Sequence, residues 1–458
     1  MFHAESWGAK VKLFMHILWP IMVTQVGLYA MNLADTIMSG RVSSEDLVGV
    51  SMGSGIWMPI ITGINGILLA VTPIVSQLMG SGQREGIARA ISQALYVSVL
   101  IALVVAGIGA VAFLPLLEYM GLTPKVEYIA HQYLLALLIG IIPLFASNVL
   151  RYFFDAQGFT RISMYITLLA VPFNVLLNYC LIFGKLGFPA LGGIGAGYAT
   201  AVTYWLVLLV SIATTFKVEA MRSYRLFREW AVPSWKAWKE LFVIGIPIGL
   251  SIFFEVGIFS VVTLMVGSMF ATEVAAGHQI ALSFSSLIFM IPLSISMALT
   301  IVVGYSVGGE RLQHARQYAR LGVGGGVGFM ALCAVVLYYV RVPIAELYTQ
   351  EPEVAALAAQ FLIFAIFYQI SDAAQASLLG VLRGYKDVRL PFVIAFVSYW
   401  IIGIPAGYLL SAFTELRAFG FWVGIIIGLT CAAAGFFLRL LKVQRGLKGG
   451  AQGLAEAK

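Results

Sequence analysis

Residues Ile87–Leu114 read IARAISQALYVSVLIALVVAGIGAVAFL, and no position after Arg89 in that run carries a charge. About 20 apolar residues in helical form cross the hydrocarbon core of a bilayer. The run is continuous and lacks the period-two alternation of a membrane-barrel strand, so it predicts a transmembrane helix. Eleven further stretches read the same way: Val11–Met38, Leu47–Leu78, Tyr128–Phe153, Ile162–Phe183, Gly193–Phe216, Leu241–Met265, Val274–Tyr305, Leu321–Val340, Val354–Leu379, Pro391–Ala412 and Phe419–Leu441. The composition agrees. Of 458 residues 60% are hydrophobic and only 11% charged, against about 25% charged in a soluble domain. The expectation is an all-α integral membrane protein of twelve helices.

Basic residues set the orientation. With both termini cytoplasmic, 23 of the 28 Lys and Arg fall on the cytoplasmic side, Arg383 among them. Only Arg41, Lys125, Lys185, Arg341 and Arg417 fall outside. The positive-inside bias holds at every loop. The net charge of +7 is thereby an orientation signal, and no basic cluster interleaved with aromatics points to nucleic acid. The first apolar run is too long for a signal peptide and has no small-residue cleavage site, so it is expected to be retained. Cys180, Cys333 and Cys431 all lie inside apolar runs at no motif spacing and read as packing residues.

The chain repeats itself. A shift of 227 places Pro20 on Pro247, Gly40 on Gly267, Gly82 on Gly309, Arg84 on Arg311 and Arg89 on Arg316. At a shift of 226, Gln157–Thr160 meets Arg383–Lys386. Six helices per half is an even number, so both halves enter the membrane alike, the parallel-repeat arrangement. The expected organisation is an N-lobe over 1–216, a cytoplasmic linker over 217–239, a C-lobe over 240–442 and a Gly-rich cytoplasmic tail over 443–458 without packed structure.

Function must come from polar residues inside the runs. A charged side chain at the bilayer centre costs about 2.5–3.5 kcal/mol on insertion scales. Glu255 lies roughly 21 Å along the seventh helix. Asp372 lies in the tenth, four residues after Tyr368, on one helical face. Asp35 lies nearer the outer end of the first helix, three residues after Asn32. With no Lys or Arg read inside the spans, these acids must be protonated, hydrated or bound to a cation. Two carboxylates and a phenol oxygen suit an alkali cation, and proton exchange suits them equally. Asn174 and Asn178 share a face of the fifth helix and read either as a polar cavity stripe or as interhelical glue. Pro20 and Pro247, at matching positions, read as hinges or as tolerated kinks. His278 reads better as a hydrogen-bonded packing residue than as a metal ligand. Gly322–Gly328 lacks the Lys-Ser/Thr of a phosphate loop and Gly193–Gly197 has no strand before it, so no nucleotide site is expected. No catalytic constellation is evident, and an enzyme is disfavoured.

These segments together resemble the multidrug and toxic compound extrusion (MATE) family, in its NorM-like branch, over essentially the whole chain. The resemblance rests on Asn32–Gly40, Leu191–Thr200, Phe253-Phe254-Glu255, Ala276-Gly277-His278-Gln279, Tyr368–Asp372 and Leu382–Asp387. It implies two six-helix bundles in a V-shaped fold in a bacterial cell membrane, acting as a monomer. It also implies export of amphiphilic organic cations (drugs, dyes, fluoroquinolones) against inward Na+, or alternatively H+, without a cofactor. By the same resemblance Glu255, Tyr368 and Asp372 form a cation site that suits Na+. Asp35 takes part in coupling, while Asn32, Asn174, Asn178, His278 and Gln279 line the polar cavity. The rival readings are a lipid-linked precursor flippase, which wants basic residues in its cavity, and a non-transporting membrane scaffold.

Overall fold

The computed structural model describes residues 2–456, and side chains as far as Lys448. Eleven helices are long and apolar enough to cross a membrane, and a twelfth crossing is a bent pair. We number them α1 Trp7–Gly40, α2 Ser44–Gly80, α3 Arg84–Tyr119, α4 Pro124–Ile139 with Ile141–Ala156, α5 Thr160–Phe183 and α6 Gly193–Lys217. The second set is α7 Trp235–Met269, α8 Thr272–Gly308, α9 Leu312–Tyr348, α10 Pro352–Gly384, α11 Arg389–Phe413 and α12 Phe419–Glu456. Among the described residues there is no strand. Each predicted run sits inside one of these helices.

The limbs of α4 meet at 51°. Gly140 stands at the break, and a Cβ there would lie 2.7 Å from Ala201 Cα of α6. The backbones therefore approach too closely for any side chain, and Pro143 removes a hydrogen bond just beyond.

The helices fall into two compact units, Trp19–Gly249 and Leu250–Lys458 with Met1–Leu18. These limits differ from the sequence boundaries, for local reasons. Phe2 stacks on Tyr305 at 4.2 Å, which ties the N-terminus to the second unit. The linker is fastened to the first unit through α3. Gln93 Nε2 donates to the Val232 carbonyl, its Oε1 accepts from Ser234 N–H and from Trp238 Nε1, and Tyr96 donates to the Ala231 carbonyl. The tail also differs from expectation. α12 continues helical to Glu456, with Arg316 donating to the Gln444 carbonyl and Gln444 Nε2 to Tyr385 at 3.3 Å. Glu, Ala, Gln and Leu in this stretch favour helix enough to carry its glycines.

In the first unit the Ile141–Ala156 limb of α4 is apolar and buried almost all round. In the second, α10 holds the same central place, packed against α8, α9 and α12. Buried polar residues in such helices are costly, so they stand out as the ones with a task.

The two halves repeat at the turns Gly82–Gln83 and Glu310–Arg311 with a register of 228. In the first half Gly82 N–H bonds to the Met79 carbonyl and Gln83 N–H to Leu78. In the second, Glu310 N–H bonds to Val307 and Arg311 N–H to Ser306. Gly158 and Lys386 form the next such pair, and all four residues have positive φ. This is the left-handed helix-terminating turn. Residue identity pointed to 227 and 226 because the second half seats Glu310 and Lys386 where the first uses glycine. Both glycines of that half, Gly309 and Gly384, lie before the turn.

Candidate functional site

The polar residues gather in two clusters, one in each unit. In the first, Asp35 of α1 is 3% exposed. Its carboxylate accepts from Asn178 Nδ2 of α5 at 2.8 Å and from Thr200 Oγ1 of α6 at 2.6 Å. Asn174, one turn before Asn178, reaches Thr200 and Thr203 at 3.4 Å and accepts from Asn178 at the same distance. Both asparagines are fully buried. Tyr133 and Tyr204 lie within electrostatic reach of Asp35. Asn178 and Thr200 are neutral donors, which orient the carboxylate without cancelling its charge. Asn178 Oδ1 has no partner among the described residues. Asn32 is half-buried and accepts from Ser54 at 3.4 Å. Thr200 and Thr203 were not picked out from the sequence, although Thr200 closes the Leu191–Thr200 segment. A threonine in a helix gives no signal until its neighbour is known.

The glycines of that segment serve packing. Gly192 has φ 61° and ψ −139°, and a Cβ on it would sit 2.6 Å from Asp46 Oδ1. That same oxygen accepts from Gly193 N–H at 2.8 Å, so Asp46 of α2 satisfies a free amide at the start of α6. This interaction fixes where α6 begins and hence where Thr200 meets Asp35.

The second cluster joins α7, α10 and α11. Asp372 and Tyr368 are buried at 2% and 5% exposure, and the Tyr368 hydroxyl is the hydrogen-bonding neighbour of the Asp372 carboxylate. Glu255, half-buried on α7, lies within electrostatic reach of both Asp372 and Arg383. Arg383, read from the sequence as lying on the cytoplasmic side beyond the Val354–Leu379 run, is in the last turn of α10 and 5% exposed. It follows Asp372 by eleven residues, about three helical turns, and so shares its face.

Asp372 Oδ1 has no partner among the described residues, nor has the hydroxyl of Tyr399. Nor do these residues hold a group of three or more His, Cys, Asp or Glu set for a metal ion. Two carboxylates with phenol oxygens are hard ligands for a monovalent cation and a poor match for a transition metal. With both acids ionised and Arg383 charged, the cluster carries one net negative charge.

His278 of α8 is buried, with Trp422 Nε1 at 2.9 Å from Nδ1 and Thr263 Oγ1 at 3.0 Å from Nε2. An indole N–H only donates, so Nδ1 accepts, and the neutral ring then carries its proton on Nε2. Trp422 in turn lies edge-on to Tyr368 with centroids 6.0 Å apart, and Phe259 flanks that ring at 5.9 Å. Trp422 thus links His278 to Tyr368 of the second cluster. Gln279 beside it is exposed. Pro20 and Pro247 are inside α1 and α7, each within three residues of a unit boundary.

A MatE family profile matches residues 20–180 and 247–409, one match in each half. The chain is 48% identical over 441 residues to a probable multidrug resistance protein NorM of Halalkalibacterium halodurans, covering 96% of both chains. It is 48% identical over 436 residues to the Bacillus subtilis protein of the same description, covering 95% of this chain and 96% of that one. Among solved structures it is similar to an outward-facing multidrug resistance MATE family transporter of the MOP superfamily. There the TM-score is 0.87 at 19% identity, with 96% of this chain and 97% of the other covered. The Vibrio cholerae MATE transporter VcmN in its bent form gives 0.84 at 21% identity, with 96% and 98% covered. At these identities the structural likeness speaks for the fold.

Proposed function

The chain belongs to the MatE family, and from that premise we propose that it exports amphiphilic organic cations in exchange for inward Na+, with H+ as the alternative coupling ion. The family is one of multi-pass multidrug transporters and not of enzymes. The finer reading places the protein in a bacterial cell membrane, as a monomer with both termini cytoplasmic, and lets it confer resistance to drugs such as fluoroquinolones.

One observation carries the proposal: two carboxylates, Glu255 and Asp372, gather with one guanidinium, Arg383, beside two tyrosine hydroxyls, so that with all three ionised one negative charge is left over. A residual charge of minus one can be met by one monovalent cation or by one proton. A charged site is expensive in a low-dielectric surrounding, and a neutralised one is not. A cationic drug and a coupling cation therefore compete for the same compensation. Each inward elementary charge gains about 2.3 kcal/mol per 100 mV of membrane potential. One ion with its gradient thus supports a drug gradient without ATP. A flippase for anionic lipid-linked precursors fits less well, since Arg383 is outnumbered by the two acids around it. Asp35 is the second negative group, held by Asn178 and Thr200 and available to protonation or to a cationic ligand.

The test is ethidium or norfloxacin efflux from proteoliposomes with Na+ and pH gradients imposed separately. Glu255→Gln and Asp372→Asn are each expected to cut ion-driven efflux by about tenfold or more, equivalent to about 1.4 kcal/mol. Full coupled transport in both variants would sink the site. Flux driven by pH and indifferent to Na+ would overturn the choice of ion. No drug movement under either gradient would favour a scaffold.

A further inference from the structure

α11 is not regular. Its residues Val397–Gly403 form a π-helical turn. Such turns are rare and concentrate at functional positions, because the wider turn re-aims the side chains it carries. This one is fastened to the part of α7 that bears Glu255. Trp400 Nε1 donates to the Phe254 carbonyl at 3.0 Å, and the two rings meet edge-on at 5.8 Å. A Cβ on Gly257 would lie 3.0 Å from the Trp400 ring, so a larger residue there would press on the indole.

Tyr399, beside Trp400 in that turn, is 1% exposed. A buried tyrosine hydroxyl normally finds a partner. The Tyr399 hydroxyl has none among the described residues, and neither has Asp372 Oδ1. Glu255, Tyr368, Asp372 and Arg383 all lie within electrostatic reach of it.

We propose that the Tyr399 hydroxyl, presented by the π-helical turn, is a further oxygen ligand for the coupling cation, alongside Glu255, Tyr368 and Asp372. This rests on the cation site proposed above. A phenol oxygen is a neutral hard ligand that can donate its proton to a carboxylate while a lone pair faces a cation. It adds coordination without adding charge, so the site keeps its single net negative charge. Tyr399 is on α11, whereas Glu255 is on α7 and Tyr368 and Asp372 on α10. A cation held by all four would clamp three helices together.

The experiment is equilibrium binding of radioactive Na+ to the purified full-length chain, with Li+ as competitor, for native protein, Tyr399→Phe and Glu255→Gln. Melting temperatures are read on the same samples. Tyr399→Phe removes one oxygen and keeps the ring. It is expected to raise the half-saturating Na+ concentration about tenfold and to change the Li+/Na+ preference, which a packing role alone would not alter. Native affinity and selectivity in Tyr399→Phe, with Glu255→Gln impaired, would overturn this inference and leave the site standing. Native binding in both variants, or no Na+ binding by the unaltered chain, would overturn the site and the inference together. Should Tyr399→Phe fail to fold, Trp400→Phe decides. It unfastens the π-helical turn from Phe254 and keeps the hydroxyl, so weakened Na+ binding supports the assignment and unchanged binding refutes it.

Discussion

Arg383 sets the charge of the second cluster. It is a fixed cation on the face of α10 that also carries Asp372, and Glu255 is its acidic neighbour. Replacing Arg383 by Met keeps an unbranched, shorter apolar stem and deletes the charge. The residual charge of the site then doubles to minus two. Arg383→Met is expected to bind Na+ about tenfold more tightly and to release it more slowly, so that efflux is limited by ion release. A Na+ titration of the intrinsic tryptophan fluorescence checks it, and unchanged or weaker binding would remove Arg383 from the charge balance. The acids were visible in the sequence because a carboxylate in an apolar run is anomalous on any reading. Arg383 was not, because a basic residue near the end of a run is what positive-inside topology leads one to expect.

Helices are positioned here by contacts at their ends and by glycine where backbones touch. The start of α6 is the clearest case. Gly192 holds a φ, ψ combination open in practice only to glycine, and Asp46 fills the space a Cβ would need. Gly192→Ala is expected to cost about 2–4 kcal/mol. It should lower the melting temperature in detergent, with efflux falling in step with the folded fraction. A variant that melts like the native chain would show that this turn does not set the position of α6. The α11–α12 crossing is equally tight, since a Cβ on Gly424 would lie 2.4 Å from Gly407 Cα. Apolar length revealed that these elements exist. It could not reveal the break in α4 at Gly140 or the π-helical turn in α11, because glycine among apolar residues and an aromatic pair such as Tyr399-Trp400 are ordinary inside a membrane helix.

For the molecule as a whole, only two of the twelve spanning helices run from one compact unit into the other. They are α1, divided between Leu18 and Trp19, and α7, divided between Gly249 and Leu250. Each has a proline within three residues of that point, Pro20 and Pro247. Proline leaves a carbonyl of the preceding turn without its helical partner, so bending costs less there. Pro20→Ala and Pro247→Ala restore an N–H and favour the straight helix by up to about 3 kcal/mol. Turnover is expected to fall about tenfold in the double variant while Na+ affinity stays within about twofold. Equal turnover would make the prolines tolerated kinks and nothing more.

The sequence by itself determined the membrane class, the twelve crossings, the doubled architecture and the identity of the acids, since each is a statement about which residue types water or lipid will accept along a single helix. Tertiary structure alone decided the partners. It showed that Thr200 and Asn178 hold Asp35, that Arg383 is buried near Glu255, that His278 is tied to Trp422, and that Tyr399 turns inward. Those facts depend on which faces of different helices meet. Hydropathy, being a property of one segment at a time, carries no record of that.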